Sequence, residues 1–178
     1  LELVAKPNMD YVLDYYSDLW TNQNDEFTEN LETVDVSELN DEQLIVFSIQ
    51  LIKKQQYSKA EKLLSTQETL KAIHYDLLGL IKKQQGEIKL AYSYFETAIE
   101  KEPSYAPSYY FKSLIKTQEN KYAEALELIE KAIAFQPDML KAHFHKAILL
   151  KIMEQPNEAL KTYKGISRES EQLNYELH

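Results

Sequence analysis

The chain has 178 residues, 44% of them hydrophobic, and a net charge of −9, which suits one compact domain or a short repeat array. Three glycines and five prolines are few for a fold that depends on tight turns, so composition argues against an all-β architecture and for an all-α one. The lack of cysteine removes disulfide frameworks, thiol chemistry and cysteine-ligated zinc, and leaves the redox compartment open.

The charge is concentrated at the start. Residues 1–42 carry twelve acidic side chains against Lys6 alone, a net of −11, while the remainder is nearly neutral at +2. Neither part has the basic stripe that a phosphate backbone requires, so no nucleic-acid partner is expected. Tyr11, Val12, Tyr15, Tyr16, Leu19 and Trp20 recur at helical spacing and predict a helix over residues 8–20, with Asp10, Asp14 and Asp18 on its other face. Residues 21–36 are polar and aperiodic and read as a linker. The arm is expected to cap the end of the body, or to fold over it as a tethered competitor for its binding surface.

Beyond the arm, periodicity predicts helices over 38–54, 57–66, 69–84, 87–101, 104–118, 121–135, 138–153, 156–167 and 169–177. Leu77, Leu78 and Ile81, then Tyr110, Phe111, Leu114 and Ile115, line single helix faces. Pro107 suits a first turn, Pro103 and Pro137 separate helices, and Gly86 marks a turn. No apolar run approaches the ~20 residues that cross a bilayer, so direct membrane insertion is not expected.

A fixed period runs through this pattern. The stretch Ala91 to Pro103 shares Ala, Glu, Ala, Ile and Pro with Ala125 to Pro137, 34 residues on. Two columns stay small throughout, Ser48, Gly79, Ser113 and Ala147 in one and Ala60, Ala91, Ala125 and Ala159 in the other, as close helix packing requires. The hexapeptide Leu-Ile-Lys-Lys-Gln-Gln, at 51–56 and 80–85, repeats at 29 residues where these columns step by 31. Its two copies are therefore out of register by two positions.

On Tyr75, Gly79, Ala91, Phe95, Ala98 and Pro103, then Tyr109, Ser113, Tyr122, Ala125, Ala132 and Pro137, the chain resembles a tetratricopeptide repeat protein. A further unit keeps Ala147, Ala159 and Tyr163, with His143 where an aromatic is usual; an earlier one keeps Ser48, Tyr57 and Ala60. The resemblance implies an all-α, right-handed superhelical solenoid of antiparallel helix pairs, about three to four units long. The units fall at 41–71, 72–105, 106–139 and 140–170, followed by a terminal helix. The domains are then the acidic arm, 1–36, and the repeat domain, 37–178.

Enzyme signatures are missing. Gly79, Gly86 and Gly165 are isolated from one another, so no phosphate loop forms, and the acidic residues of the arm have no apolar surroundings to raise a pKa. His143 and His145 point about 200° apart on a helix and do not share a metal. No catalytic residue, cofactor or metal is expected.

The resemblance places a partner groove on the first helix of each pair. Its inward residues would be Ile45, Ile49, Asp76, Leu80, Lys83, Tyr110, Leu114, Thr117, Phe144, Ile148 and Lys151. Relatives that clamp a C-terminal carboxylate carry lysine and asparagine where Asp76, Leu80, Tyr110, Leu114, Phe144 and Ile148 stand, so no such clamp is implied. An apolar groove suits a partner's amphipathic helix or an extended apolar peptide, with Tyr110 and Phe144 as anchors. Lys82, Lys83, Lys116 and Lys151 lie near the ends of first helices, where they complement the helix dipole. The expected role is a non-enzymatic adaptor or scaffold. A secretion or assembly chaperone and a regulatory segment of a larger enzyme are the alternatives, and homodimerisation is left open. A cytoplasmic location is expected, or an exported one if a signal preceded Leu1.

Overall fold

The computed structural model describes residues 39–67 and 69–165. The helices expected over 8–20 and 169–177, and the linker between 21 and 36, lie outside the described residues. The chain divides into two compact units, Leu1–Leu70 and Lys71–His178. The first contains α1 (Asp41–Lys53) and α2 (Tyr57–Leu64). The second contains α3 (Ala72–Gln84), α4 (Ile88–Lys101), α5 (Ala106–Gln118), α6 (Tyr122–Phe135) and α7 (Leu140–Ile152). Among the described residues a further helix, α8, covers 156–165. Among the described residues there is no strand, and the helices follow one another as antiparallel hairpins, α1 with α2, α3 with α4, α5 with α6 and α7 with α8.

Local chemistry fixes where the helices begin. At α1 the Asn40 side chain accepts from the Gln43 N–H at 2.9 Å while the Gln43 side chain accepts from the Asn40 N–H at 3.1 Å. This reciprocal capping, with Asp41 and Glu42 at the positive end of the helix dipole, starts the helix at 41 and not at the expected 38. At α3 the Lys71 N–H donates to His74 Nδ1 at 3.1 Å, and the helix starts at 72 instead of 69. Pro107 sits in the first turn of α5, where a missing N–H costs nothing.

The turn inside every hairpin has one form. Gln55, Gly86, Asn120 and Glu154 all adopt left-handed backbone, with φ of 58°, 81°, 59° and 59°. In each case the next residue's N–H reaches back to close the helix, from Gln56 to Leu51 O at 2.8 Å, and from Glu87, Lys121 and Gln155 to Lys82, Lys116 and Leu150 O at 2.9 Å. The left-handed residue steps by 31 and then by 34 twice. It aligns Leu51 with Lys82, so the hexapeptide copies are indeed two positions apart in the fold. Only Gly86 occupies this conformation without a Cβ penalty. Gln55→Gly and Glu154→Gly are each expected to raise unfolding free energy by about 0.5–1 kcal/mol, measured by urea denaturation; an unchanged or lower midpoint would show that the turns are relaxed by other means.

The small columns do what the sequence reading expected of them. Ser48, Gly79, Ser113 and Ala147 are buried, as are Ala60, Ala91, Ala125 and Ala159. In the α5/α6 hairpin the approach is close enough for the Ser113 hydroxyl to donate to the Ala125 carbonyl at 2.9 Å. Phe95 is fully buried against Gly79 and lies 5.4 Å, centroid to centroid, from Phe111. That pair of rings ties α4 to α5, and burial of each contributes on the order of 2 kcal/mol.

Successive hairpins are joined by contacts that also repeat every 34 residues. Lys112 pairs with Glu96 at 3.3 Å and Lys146 with Glu130 at 2.7 Å. The Tyr109 hydroxyl donates to the Pro103 carbonyl at 2.9 Å, and His143 Nε2 donates to the Pro137 carbonyl at 2.7 Å. His143, a departure from the aromatic pattern in sequence, therefore keeps the tyrosine's hydrogen bond.

Candidate partner-binding surface

The inward positions of the first helices divide by exposure. In the first unit Ile45 and Ile49, on α1, are buried. In the second unit Asp76, Leu80, Tyr110, Leu114 and Thr117 are buried, Lys83 is half-buried, and Phe144, Ile148 and Lys151 are exposed.

Hydrogen bonds and ring contacts account for the buried polar and aromatic members. The Ser108 hydroxyl donates to the Asp76 carboxylate, linking α5 to α3. Tyr110, only 6% exposed, sets its ring edge-on to Phe111 at 5.3 Å and to His145 at 6.1 Å. The Thr117 hydroxyl donates to the Ser113 carbonyl at 2.9 Å, so its oxygen accepts from His145 Nε2–H at 3.0 Å. These groups join α5 to α7. Tyr110 thus packs one first helix on the next, where the sequence reading had paired it with Phe144 as an anchor.

Burial pushes the His145 imidazole down to about 4, with the Ser113 backbone carbonyl favouring the charged form against it. Burial also lowers Lys83 from its ordinary value. Of the lysines near the ends of first helices, Lys82 pairs with Glu87 at 3.5 Å and Lys116 with Glu124 at 3.0 Å and Glu119 at 3.5 Å. Lys116 also lies over the Tyr92 ring at 5.1 Å. Two of these four lysines are therefore held within the repeat body.

What stays open is one stripe of α7. Leu140, Phe144 and Ile148 are 38%, 41% and 42% exposed and stand at i, i+4 and i+8, on one face of the helix. Lys151 continues the stripe toward the C-terminal end, and the Phe144 ring stands 6.2 Å from that of Tyr163 on α8. Leu140 was not among the expected residues, although its spacing from Phe144 and Ile148 is plain in the sequence. Three large aliphatic or aromatic groups in a row offer a partner apolar area with one cation at its end, and no chemistry of bond making. Among the described residues no cluster of His, Asp and Glu could hold a metal ion, and no helix is long and apolar enough to cross a membrane.

Comparison with known proteins agrees with this architecture. A model of the tetratricopeptide repeat matches residues 75–105 and 106–139. No curated protein sequence matches the chain significantly. Among solved structures, a crystal structure of MamA superimposes with a TM-score of 0.65 at 19% identity, covering 93% of this chain and 91% of that one. MamA from Desulfovibrio magneticus RS-1, residue 41 to the end, gives a TM-score of 0.65 at 16% identity, covering 90% and 96%. At these identities the likeness is one of fold. With the 34-residue columns, the hairpin turns and the matched segments in agreement, residues 75–139 carry two tetratricopeptide repeats within an all-helical repeat fold.

Proposed function

We propose that the chain is a non-enzymatic adaptor, and that the Leu140, Phe144 and Ile148 stripe of α7 receives the apolar face of a partner's amphipathic helix. The repeat fold supports the general reading, since stacked hairpins present extended surfaces for other proteins. The observation that carries the specific one is the exposed i, i+4, i+8 row, the complement of the spacing with which a partner helix presents its own anchors. Phe144 is the central residue, because a rigid aromatic set between two exposed aliphatic residues loses little entropy on binding. Lys151, at the end of the row, favours a partner with an acidic residue beside its apolar face.

Affinity capture with the full chain tests this. Phe144→Ala combined with Ile148→Ala is expected to weaken a captured partner by about tenfold or more while leaving the circular dichroism spectrum intact. Leu160→Ala, at an exposed leucine of α8, serves as the control and is expected to leave capture unchanged. Equal recovery by the double variant and the wild type would place the binding surface elsewhere.

A further inference from the structure

A groove of about 480 Å³ opens in the second unit among α6, α7 and α8, lined in part by Leu126, Glu130, Lys146, Leu150, Thr162 and Gly165. Its residues lie about 120° around α7 from the Phe144 stripe, on a separate surface. The repeat supplies its own comparison, because the corresponding place one repeat earlier lies among α4, α5 and α6.

The two places share a frame. Lys146 pairs with Glu130 as Lys112 pairs with Glu96. In the earlier repeat, Lys112 does a second thing: its ammonium lies 4.5 Å from the centroid of the Tyr92 ring, with Lys116 on the same ring. A tyrosine face under a cation held by a carboxylate is a favourable cation–π arrangement. Thirty-four residues on, Leu126 stands for Tyr92 and Leu150 for Lys116, while Thr162 replaces Leu128 and Gly165 replaces Lys131. Each exchange reduces side-chain bulk or removes the ring, and together they make the groove. The held ammonium of Lys146 is kept, and Leu126 and Leu150 line the same groove.

We propose that this groove takes an aromatic side chain from a partner protein, seated on Leu126 and Leu150 with its face toward Lys146, in the place that Tyr92 fills one repeat earlier. A partner's side chain suits it better than a free small molecule, because the groove is open along the surface and would leave a free molecule poorly enclosed. Glu158 and Lys161 give it the mixed polar rim common at protein interfaces. The site is independent of the α7 stripe, and it stands or falls separately.

The tyrosine side-chain analogue p-cresol is the probe, titrated into the methyl-labelled full chain and followed by NMR. Shifts are expected at Leu126, Ile133 and Leu150, at millimolar concentration, with 4-methylcyclohexanol, of similar size but without a π face, binding several-fold more weakly. Leu126→Tyr, which supplies the ring from within, should fold, since its counterpart does, and should abolish the cresol shifts. Lys146→Met offers a second variant that keeps the groove; it should weaken cresol at least threefold and leave 4-methylcyclohexanol unchanged. Shifts outside the groove, equal binding of the two probes, or insensitivity to both variants would overturn the proposal. Micromolar binding of free cresol would assign the groove to a small molecule and overturn the partner reading.

Discussion

Replacing Gly79 by alanine is expected to lower the unfolding free energy by about 2 kcal/mol, as for other overpacked cores. A Cβ there would stand 2.6 Å from Phe95 Cε1 and 2.8 Å from Cδ1, inside van der Waals contact, and the ring is fully buried with nowhere to swing. The repeats themselves indicate the remedy. Sixteen residues after the small positions Ser48, Gly79, Ser113 and Ala147 stand Leu64, Phe95, Ile129 and Tyr163. Gly79 faces Phe95, and the sequence matches serine with the branched aliphatic residues Leu64 and Ile129. Gly79→Ser together with Phe95→Ile recreates the pair used in the α5/α6 hairpin and should recover stability that each single change loses. A double-mutant cycle by urea denaturation is expected to show about 2 kcal/mol of favourable coupling, and additive losses would mean that the two positions do not constrain each other.

The second large effect is on pH. His145 is buried and neutral, donating from Nε2 to Thr117 and held at about 4 against an ordinary 6.5. Between those values the unfolded chain binds a proton that the folded chain does not, so stability is whole above pH 6.5 and falls as pH drops toward 4. At 1.36 kcal/mol per pH unit the loss comes to about 3 kcal/mol. His145→Gln keeps an N–H for Thr117 and does not titrate. Carboxylates contribute to both proteins alike, so the difference between the two stability curves isolates the imidazole. It should be flat above pH 6.5 and close progressively below it. Curves that run parallel to pH 4 would show that protonated His145 is accommodated without loss.

Much of the fold could be read from residue types because the repeat states the same constraint several times over. The small columns, Pro107 and Gly86 each declare a local geometry, and all are found where expected. Gln55 and Glu154 were not legible as left-handed residues, since nothing in their side chains favours that backbone; only the 31- and 34-residue steps from Gly86 and Asn120 reveal them. The candidate surface was harder still. Tyr110 and Phe144 occupy equivalent positions on their helices, as do Thr117 and Lys151, but His145 follows at 28 residues from Thr117 and draws Tyr110 and Thr117 into the packing. Which inward residues remain exposed depends on side chains from the neighbouring repeat, and spacing within one helix does not record that.

Amide hydrogen exchange of the full chain, alone and saturated with a captured partner, tests the adaptor reading most directly. Added protection is expected centred on residues 140–152, greatest around Phe144 and Ile148, with its loss when both are alanine. Protection confined to the second helices, with residues 140–152 exchanging at their free rate, would contradict it.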